Sequence, residues 1–291
     1  PLIFLGISVV LNVVLDLLFI RAFDMGVKGA AIATDISQAL AGILAFAYIC
    51  LKAKHLIPKK DEYAVTKEDR SDLIQSALAM GFMSCIVNIG TVILQRAINN
   101  LGTDIVTAHT AARKIFDILM FMLYIVGNAV TTFVSQNMGA GKYDRVHQGV
   151  RDAIIINTII TTVMIVCGWL FSPALIRLVA GTSDPAIIEP AVRYVRIGVT
   201  CFYVLGPLFV LRCAMQGMDR KIVPVMSSSM EFVGKVLAVM ILTPRLGYMG
   251  VTITEPIIWF CCTLMLSIMY LSTPVEKLVA KRQEAGGKAS C

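Results

Sequence analysis

A chain of 291 residues with 57% hydrophobic and only 15% charged side chains, and a mean hydropathy of +0.77, lies outside the range of soluble domains, where roughly a quarter of residues are charged. Its net charge of +7 falls mainly in the segments between long apolar blocks, which excludes a nucleic-acid surface as the reason for the basic balance. The eight cysteines form no Cys-x-x-Cys pair, and His55, His109 and His147 are scattered, so neither a metal site nor a disulfide framework is expected; the thiols read as small apolar packing groups.

In chain order the apolar blocks are 1–20, 27–50, 73–98, 105–136, 152–172, 190–214, 222–243 and 250–272. Each is close to the roughly 20 residues that a helix needs to cross about 30 Å of hydrocarbon. None has the short alternating pattern of a barrel strand, and a helix satisfies its own backbone groups where no water can. The predicted class is therefore an all-α integral membrane protein with eight spans. The chain opens at Pro1 inside an apolar block, with no charged segment and cleavage site. A signal peptide is not expected, and the chain reads as part of a longer protein.

Ionisable groups inside such blocks cost roughly 2.5–3.5 kcal/mol each at the centre of a span, so each needs a reason. Block one carries Asn12 and Asp16, four apart and so on one helix face. Block two carries Thr34 at a similar depth. The three form a candidate pocket for H⁺ or Na⁺; the alternatives are an interhelical hydrogen bond and, for Thr34, a bond back to its own helix. The polar stretch 52–72, KAKHLIPKKDEYAVTKEDRSD, reads as a cytoplasmic linker between two bundles, and 276–291 as a cytoplasmic tail.

Block four holds Arg113 and Asp117, four apart and able to neutralise each other, beside Lys114 and the run Phe116, Met120, Phe121, Met122 and Tyr124. That run either lines an adaptable pocket or simply packs. Block seven holds Glu231 and Lys235, again four apart. Block eight holds Glu255, which has no cation near it in sequence. Glu231 and Glu255 are the candidate substrate-binding acids, suited to a cationic compound. Motifs of zinc hydrolysis, phosphate binding and nucleophilic catalysis are absent, so no enzyme and no cofactor are expected.

A shift of 221 positions carries blocks one and two onto blocks seven and eight, placing Gly26-Val27-Lys28-Gly29 on Gly247-Tyr248-Met249-Gly250. Ser8, Ile20, Ile32 and Ile36 also fall on identical residues, and Thr34 falls on Glu255. Units repeated in the same orientation suit two halves related by an axis along the membrane normal. On that reading residues 1–51 are the last two helices of one half and 73–275 are a six-helix half. Roughly 150 residues would then precede Pro1, in a protein of about 440 residues and twelve spans.

The motifs themselves resemble the multidrug and toxic compound extrusion (MATE) transporter family. Asn12-x-x-x-Asp16 with Gly26-x-x-Gly29-Ala30-Ala31-x-Ala33-Thr34 is similar to that family's fifth and sixth helices. Gln136-Asn137-Met138-Gly139-Ala140-Gly141-Lys142 with Arg145 is similar to the turn after the eighth. Gln216-Gly217-Met218, Pro224 and Glu231, then Gly247-x-x-Gly250 and Glu255-Pro256-x-x-Trp259, are similar to the tenth to twelfth.

The resemblance implies a two-lobe, twelve-helix bundle of which about eight helices are present. It implies a cation site in the N-lobe that maps onto Asn12, Asp16 and Thr34. The acids that some members carry in the seventh and tenth helices have no counterpart near Val87 and Leu205, leaving Glu231 and Glu255 in the C-lobe. The implied function is a secondary antiporter, a monomer in the bacterial inner membrane. It exports organic, cationic and amphipathic compounds in exchange for H⁺ or Na⁺. A flippase of a lipid-linked precursor and a non-transporting receptor or scaffold are the alternatives.

Charge orients the chain. With the start cytoplasmic, the inside segments 51–72, 137–151 and 212–221 and the tail carry sixteen Lys and Arg, against five outside at Arg21, Lys28, Arg96, Arg177 and Arg245. We expect a single cysteine at position 62, in an otherwise cysteine-free protein, to react with an impermeant maleimide only after cells are opened. Labelling from outside intact cells would reverse the orientation.

Overall fold

The computed structural model describes residues 2–54, 57 and 67–274. Most of the linker 52–72 and the whole tail 276–291 lie outside the described residues. Helix α1 (Leu2–Leu17) runs into a single π-helical turn (Leu18–Ala22). There follow α2 (Gly26–Lys52), α3 (Lys67–Asn99), α4 (Thr103–Gly139), α5 (Tyr143–Ala180), α6 (Pro185–Thr200), α7 (Phe202–Gly217), α8 (Ile222–Leu246) and α9 (Tyr248–Leu271). Seven of the spans are long and apolar enough to cross a membrane; an eighth comes from α6 and α7 together, bent by 53°. The eight predicted blocks are these eight spans.

The differences lie at the ends. Helix α3 begins at Lys67, inside the stretch read as linker. Helices α4 and α5, with 37 and 38 residues, reach about 55 Å at 1.5 Å per residue, well beyond the hydrocarbon. Their ends are therefore solvated and carry the polar turns. The sixth block is not one helix: it is broken at Cys201, between α6 and α7. Helix α6 starts cleanly: the Asp184 side chain accepts from the Ala186 N–H at 2.9 Å and Pro185 follows at the first helical position.

By their contacts the residues form two units, Pro1–Ser71 and Asp72–Cys291. In the second, α4 is central and packs on α5, α6 and α7, while α8 lies along α9. Lipid offers helices no hydrophobic reason to associate, so close packing and interhelical hydrogen bonds hold the bundle. Thr131 Oγ1 donates to the Cys213 carbonyl and Ser135 Oγ to the Gly217 carbonyl, both at 3.2 Å, across the α4–α7 seam. Asn157 Nδ2 reaches the Gly206 carbonyl from α5, and Thr263 Oγ1 the Val204 carbonyl from α9. Behind them Phe116, Phe202 and Trp259 form an aromatic centre, with ring centroids 4.9 Å (Phe116–Phe202) and 6.0 Å (Phe116–Trp259) apart. Phe116 is thus core, whereas Phe121, Met122 and Tyr124 are exposed on the bundle surface; the five do not line one pocket.

The internal repeat has a backbone signature. Gly26 and Gly247 both turn at positive φ, +52° and +56°, a region costly for residues with a Cβ. Three residues later, Gly29 and Gly250 are both pressed against the end of the preceding helix. A Cβ at Gly29 would lie 2.8 Å from Phe19 Cβ, and one at Gly250 would lie 2.6 Å from the Leu242 carbonyl oxygen. The two turns are one device used twice: a glycine that reverses the chain, then a glycine that lets the second helix close on the first.

Because the atom facing Gly250 is backbone, it cannot step aside. We expect Gly250→Ala to lower stability by about 1–3 kcal/mol, the usual range for overpacking, read as a lower melting temperature in detergent. Gly139→Ala, with open space at its Cβ, should change little. Equal behaviour of the two variants would refute the close-packing account of this turn.

Candidate functional site

Two of the three predicted cation ligands meet in the first unit. Asn12 Nδ2 on α1 donates to Thr34 Oγ1 on α2 at 3.3 Å, and Thr34 donates back to the Ala30 carbonyl at 2.9 Å. Asp16 lies one turn after Asn12, immediately before the π-helical turn. Its Oδ1 is buried and has no hydrogen-bond partner among the described residues. A carboxylate oxygen withdrawn from water and left without a donor is costly. A proton or a hard cation is the chemistry that relieves it, with Asn12 and Thr34 supplying further oxygens.

In the second unit, the predicted acids sit in two charged clusters. The first lies seven to ten residues inside the starts of α4 and α9, at the end the charge pattern places outside. Arg113 Nη1 donates to both oxygens of Glu255 at 3.0 Å, while its Nε meets Asp117 Oδ1 at 2.8 Å. Tyr194 on α6 donates its hydroxyl to Glu255 Oε2 at 3.2 Å. His109 stands over them, buried, with Nδ1 3.2 Å from the Tyr248 hydroxyl and its ring edge-on to Tyr194. The expectation that Glu255 lacks a cation is therefore corrected: the partner comes from α4, and Arg113 bridges two carboxylates rather than neutralising Asp117 alone.

The second cluster lies nearer the other end. Glu231 on α8 accepts from Lys235 Nζ at 3.1 Å, the expected pair one turn apart, and from Arg212 Nη2 on α7 at 3.3 Å. Arg212 Nη2 also donates to Ser227 Oγ at 2.8 Å, and Lys235 to Thr91 Oγ1 on α3 at 3.3 Å. The sequence assigned Arg212 to an inside segment. Instead α7 continues to Gly217, and the arginine is buried to 12% side-chain exposure against Glu231. One carboxylate faces two cations here, and two carboxylates face one cation in the other cluster.

Spacing of four within a helix found Arg113–Asp117 and Glu231–Lys235, but Tyr194, His109 and Arg212 escaped it because their partners are on other helices. The usable signal was cost: each is a polar or charged group inside an apolar block. Among the described residues no group of three or more His, Cys, Asp or Glu could hold a metal ion.

Breaking a buried pair leaves a charge without a partner, at a cost of about 3–5 kcal/mol. Glu255→Gln is therefore expected to reduce the yield of folded protein, and Glu255→Gln with Arg113→Met to restore much of it. Fluorescence-detected size exclusion measures both. Normal yield from the single variant would show that Arg113 is served by Asp117 alone.

With these sites in place, comparison with known proteins is informative. The MatE family model matches residues 79–241, more than half of the chain. The chain is 29% identical over 211 residues to the probable multidrug resistance protein YpnP of Bacillus subtilis, covering 72% of this chain and 46% of that protein. It is 25% identical over 194 residues to the probable multidrug resistance protein NorM of Thermotoga maritima, covering 65% and 41%. An outward-facing structure of a multidrug resistance MATE family transporter of the MOP superfamily matches 97% of this chain and 62% of that one, with a TM-score of 0.83 at 17% identity. That similarity establishes the fold, which is the MATE-like helical membrane architecture expected from the motifs. The chain spans about half the length of the curated relatives it matches. The matched family model and the eight apolar spans agree: this multi-pass membrane chain belongs to the MatE family.

Proposed function

We propose that this chain is the C-terminal part of a secondary antiporter of the bacterial cell membrane. It exports organic, cationic and amphipathic compounds in exchange for H⁺ or Na⁺. In this reading residues 1–51 end the N-lobe, 52–72 link the lobes, 73–275 are the C-lobe and 276–291 are a cytoplasmic tail. The observation that carries the proposal is the buried, unpartnered Oδ1 of Asp16 beside the Asn12–Thr34 hydrogen bond. The names of the curated relatives, probable multidrug resistance proteins, support organic cargo.

Antiport requires that ion and cargo favour different conformations. Loading Asp16 with H⁺ or Na⁺ removes its negative charge and satisfies its free oxygen, which favours an arrangement in which Asn12, Asp16 and Thr34 stay closed together. Unloading restores a buried anion, and the helices that hold it relax toward water. Glu255 and Glu231 each hold resident cations, so a cationic compound reaches them by exchange, displacing Arg113 in one cluster or Lys235 in the other. Displaced Arg113 keeps Asp117 as its partner, and a positively charged substrate brings that cluster of two carboxylates and one arginine to neutrality, whereas an uncharged compound leaves its surplus negative charge in place.

Transport is tested in everted vesicles containing the full-length protein, following a fluorescent organic cation under an imposed pH or Na⁺ gradient. Wild type is expected to drive gradient-dependent flux. Asp16→Asn should abolish it at normal expression, because an amide neither cycles a proton nor neutralises Na⁺, and Asn12→Ala should weaken it less. Near-normal flux with Asp16→Asn would remove Asp16 from coupling. No gradient-dependent flux in wild type would favour a receptor or scaffold, and movement of a labelled lipid-linked pyrophosphate instead of the cation would favour a flippase.

A further inference from the structure

Within the second unit, helix α3 packs on α8 and α9 along its latter half, and near its start the Asp72 carbonyl accepts from Lys221 Nζ, in the turn before α8, at 3.2 Å. Gly90 lies against the Lys235 stem and Phe232, and Leu94 and Ile98 pack on Val251. Its first half stands away from α8. The space between is two adjoining cavities of about 790 Å³ and 240 Å³, which share Ala79, Asp219, Lys221 and Val225 as walls. The larger one runs up an apolar wall that includes Phe82 and Ile86. The smaller is closed by Met83, Thr131, Gln216 and Pro224. Gln216 is one helical turn from Arg212, and Pro224 one turn from Ser227, so this cavity's wall lies one turn along each helix from the two partners of the Arg212–Ser227 hydrogen bond.

The charge above that cavity is not balanced locally. Arg212 and Lys235 share the single carboxylate of Glu231, giving a surplus of one positive charge; the compensating surplus of one negative charge sits in the cluster of Arg113 with Asp117 and Glu255. At the cavity mouth Lys221 is met by Asp72 and Asp219, and Arg220 is exposed beside it. Arg212 spends Nη2 on both Ser227 and Glu231, and its Nε is buried with no partner among the described residues. A buried guanidinium with a donor to spare, under-neutralised and next to an apolar cavity, is arranged for an oxyanion.

We propose that the space between the first half of α3 and α8 binds an amphiphile by its anionic group, a carboxylate or phosphate directed at Arg212, with the apolar body along Phe82, Ile86 and Met83. This goes beyond the export of cations and does not depend on it, since binding is measured without flux. The ligand's oxyanion competes with Glu231 for Arg212, so the site and the cluster are coupled.

The test uses the full-length protein in phosphatidylcholine nanodiscs, with 2-naphthylacetate and its uncharged amide as probes. The anion is expected to bind about tenfold more tightly, a difference typical of one added charge-assisted hydrogen bond. Arg212→Gln should bring the two affinities together. Should that variant fail to fold, Arg212→Lys decides: it keeps a cation beside Glu231 but removes the spare Nε donor, so the preference for the anion should fall, and an unchanged preference counts against the proposal. Competition by added phosphatidylglycerol identifies a lipid as the source of the anionic group, and its absence identifies a soluble acid. Equal binding of acid and amide to wild type, or a preference unchanged in Arg212→Gln, overturns the proposal.

Discussion

The contact of Arg113 Nη1 with both carboxylate oxygens of Glu255, 142 residues away in the chain, is the constraint around which the second unit is organised. Neither group tolerates the hydrocarbon alone, and the membrane offers no water to replace a missing partner. The pair therefore sets the depth of α9 against α4, and Tyr194, which donates to the same carboxylate, sets α6 against both. His109 and Tyr248 close the cluster around it. The aromatic centre of Phe116, Phe202 and Trp259 fills the space directly below, and Arg113 lies 5.6 Å from the Phe116 ring centroid. Apolar packing alone would let such helices slide; an ion pair with a second donor on the same carboxylate does not.

The two charged clusters together are neutral, yet each carries a surplus of opposite sign. Separating charge in this way is unfavourable in a medium of low dielectric constant. Each cluster is held by contacts between helices that no single helix supplies. Arg212 and Lys235 divide one carboxylate between them, that of Glu231.

The repeat shows how backbone and chemistry part company within one chain. The turn glycines of α1–α2 and α8–α9 have the same φ and the same close approach, so the hinge between the paired helices is kept in both copies. The position five residues after the second glycine is Thr34 in one and Glu255 in the other. In the first copy it accepts a hydrogen bond from Asn12, and Asp16 Oδ1 is buried with no hydrogen-bond partner among the described residues. In the second the corresponding carboxylate is locked to an arginine. The same close approach of two helices thus carries an uncharged hydrogen bond in one place and an ion pair in the other.

Much of this was legible in the residues alone, and the division follows the range of each interaction. Apolar run length determined the eight spans, because crossing hydrocarbon is a requirement on consecutive residues. Glycine punctuation determined the repeated turns, because positive φ and missing Cβ atoms are local facts. Helical spacing determined the Arg113–Asp117 and Glu231–Lys235 pairs, because residues four apart must share a face. Only the tertiary structure decided that Glu255 belongs to Arg113, that Arg212 is a buried partner of Glu231 rather than a loop residue, and that α3 stands off from α8 to leave a cavity. Those depend on how each helix is rotated about its axis and on where α7 ends. A sequence in which every face of a helix is apolar carries no amphipathic stripe from which that rotation could be read.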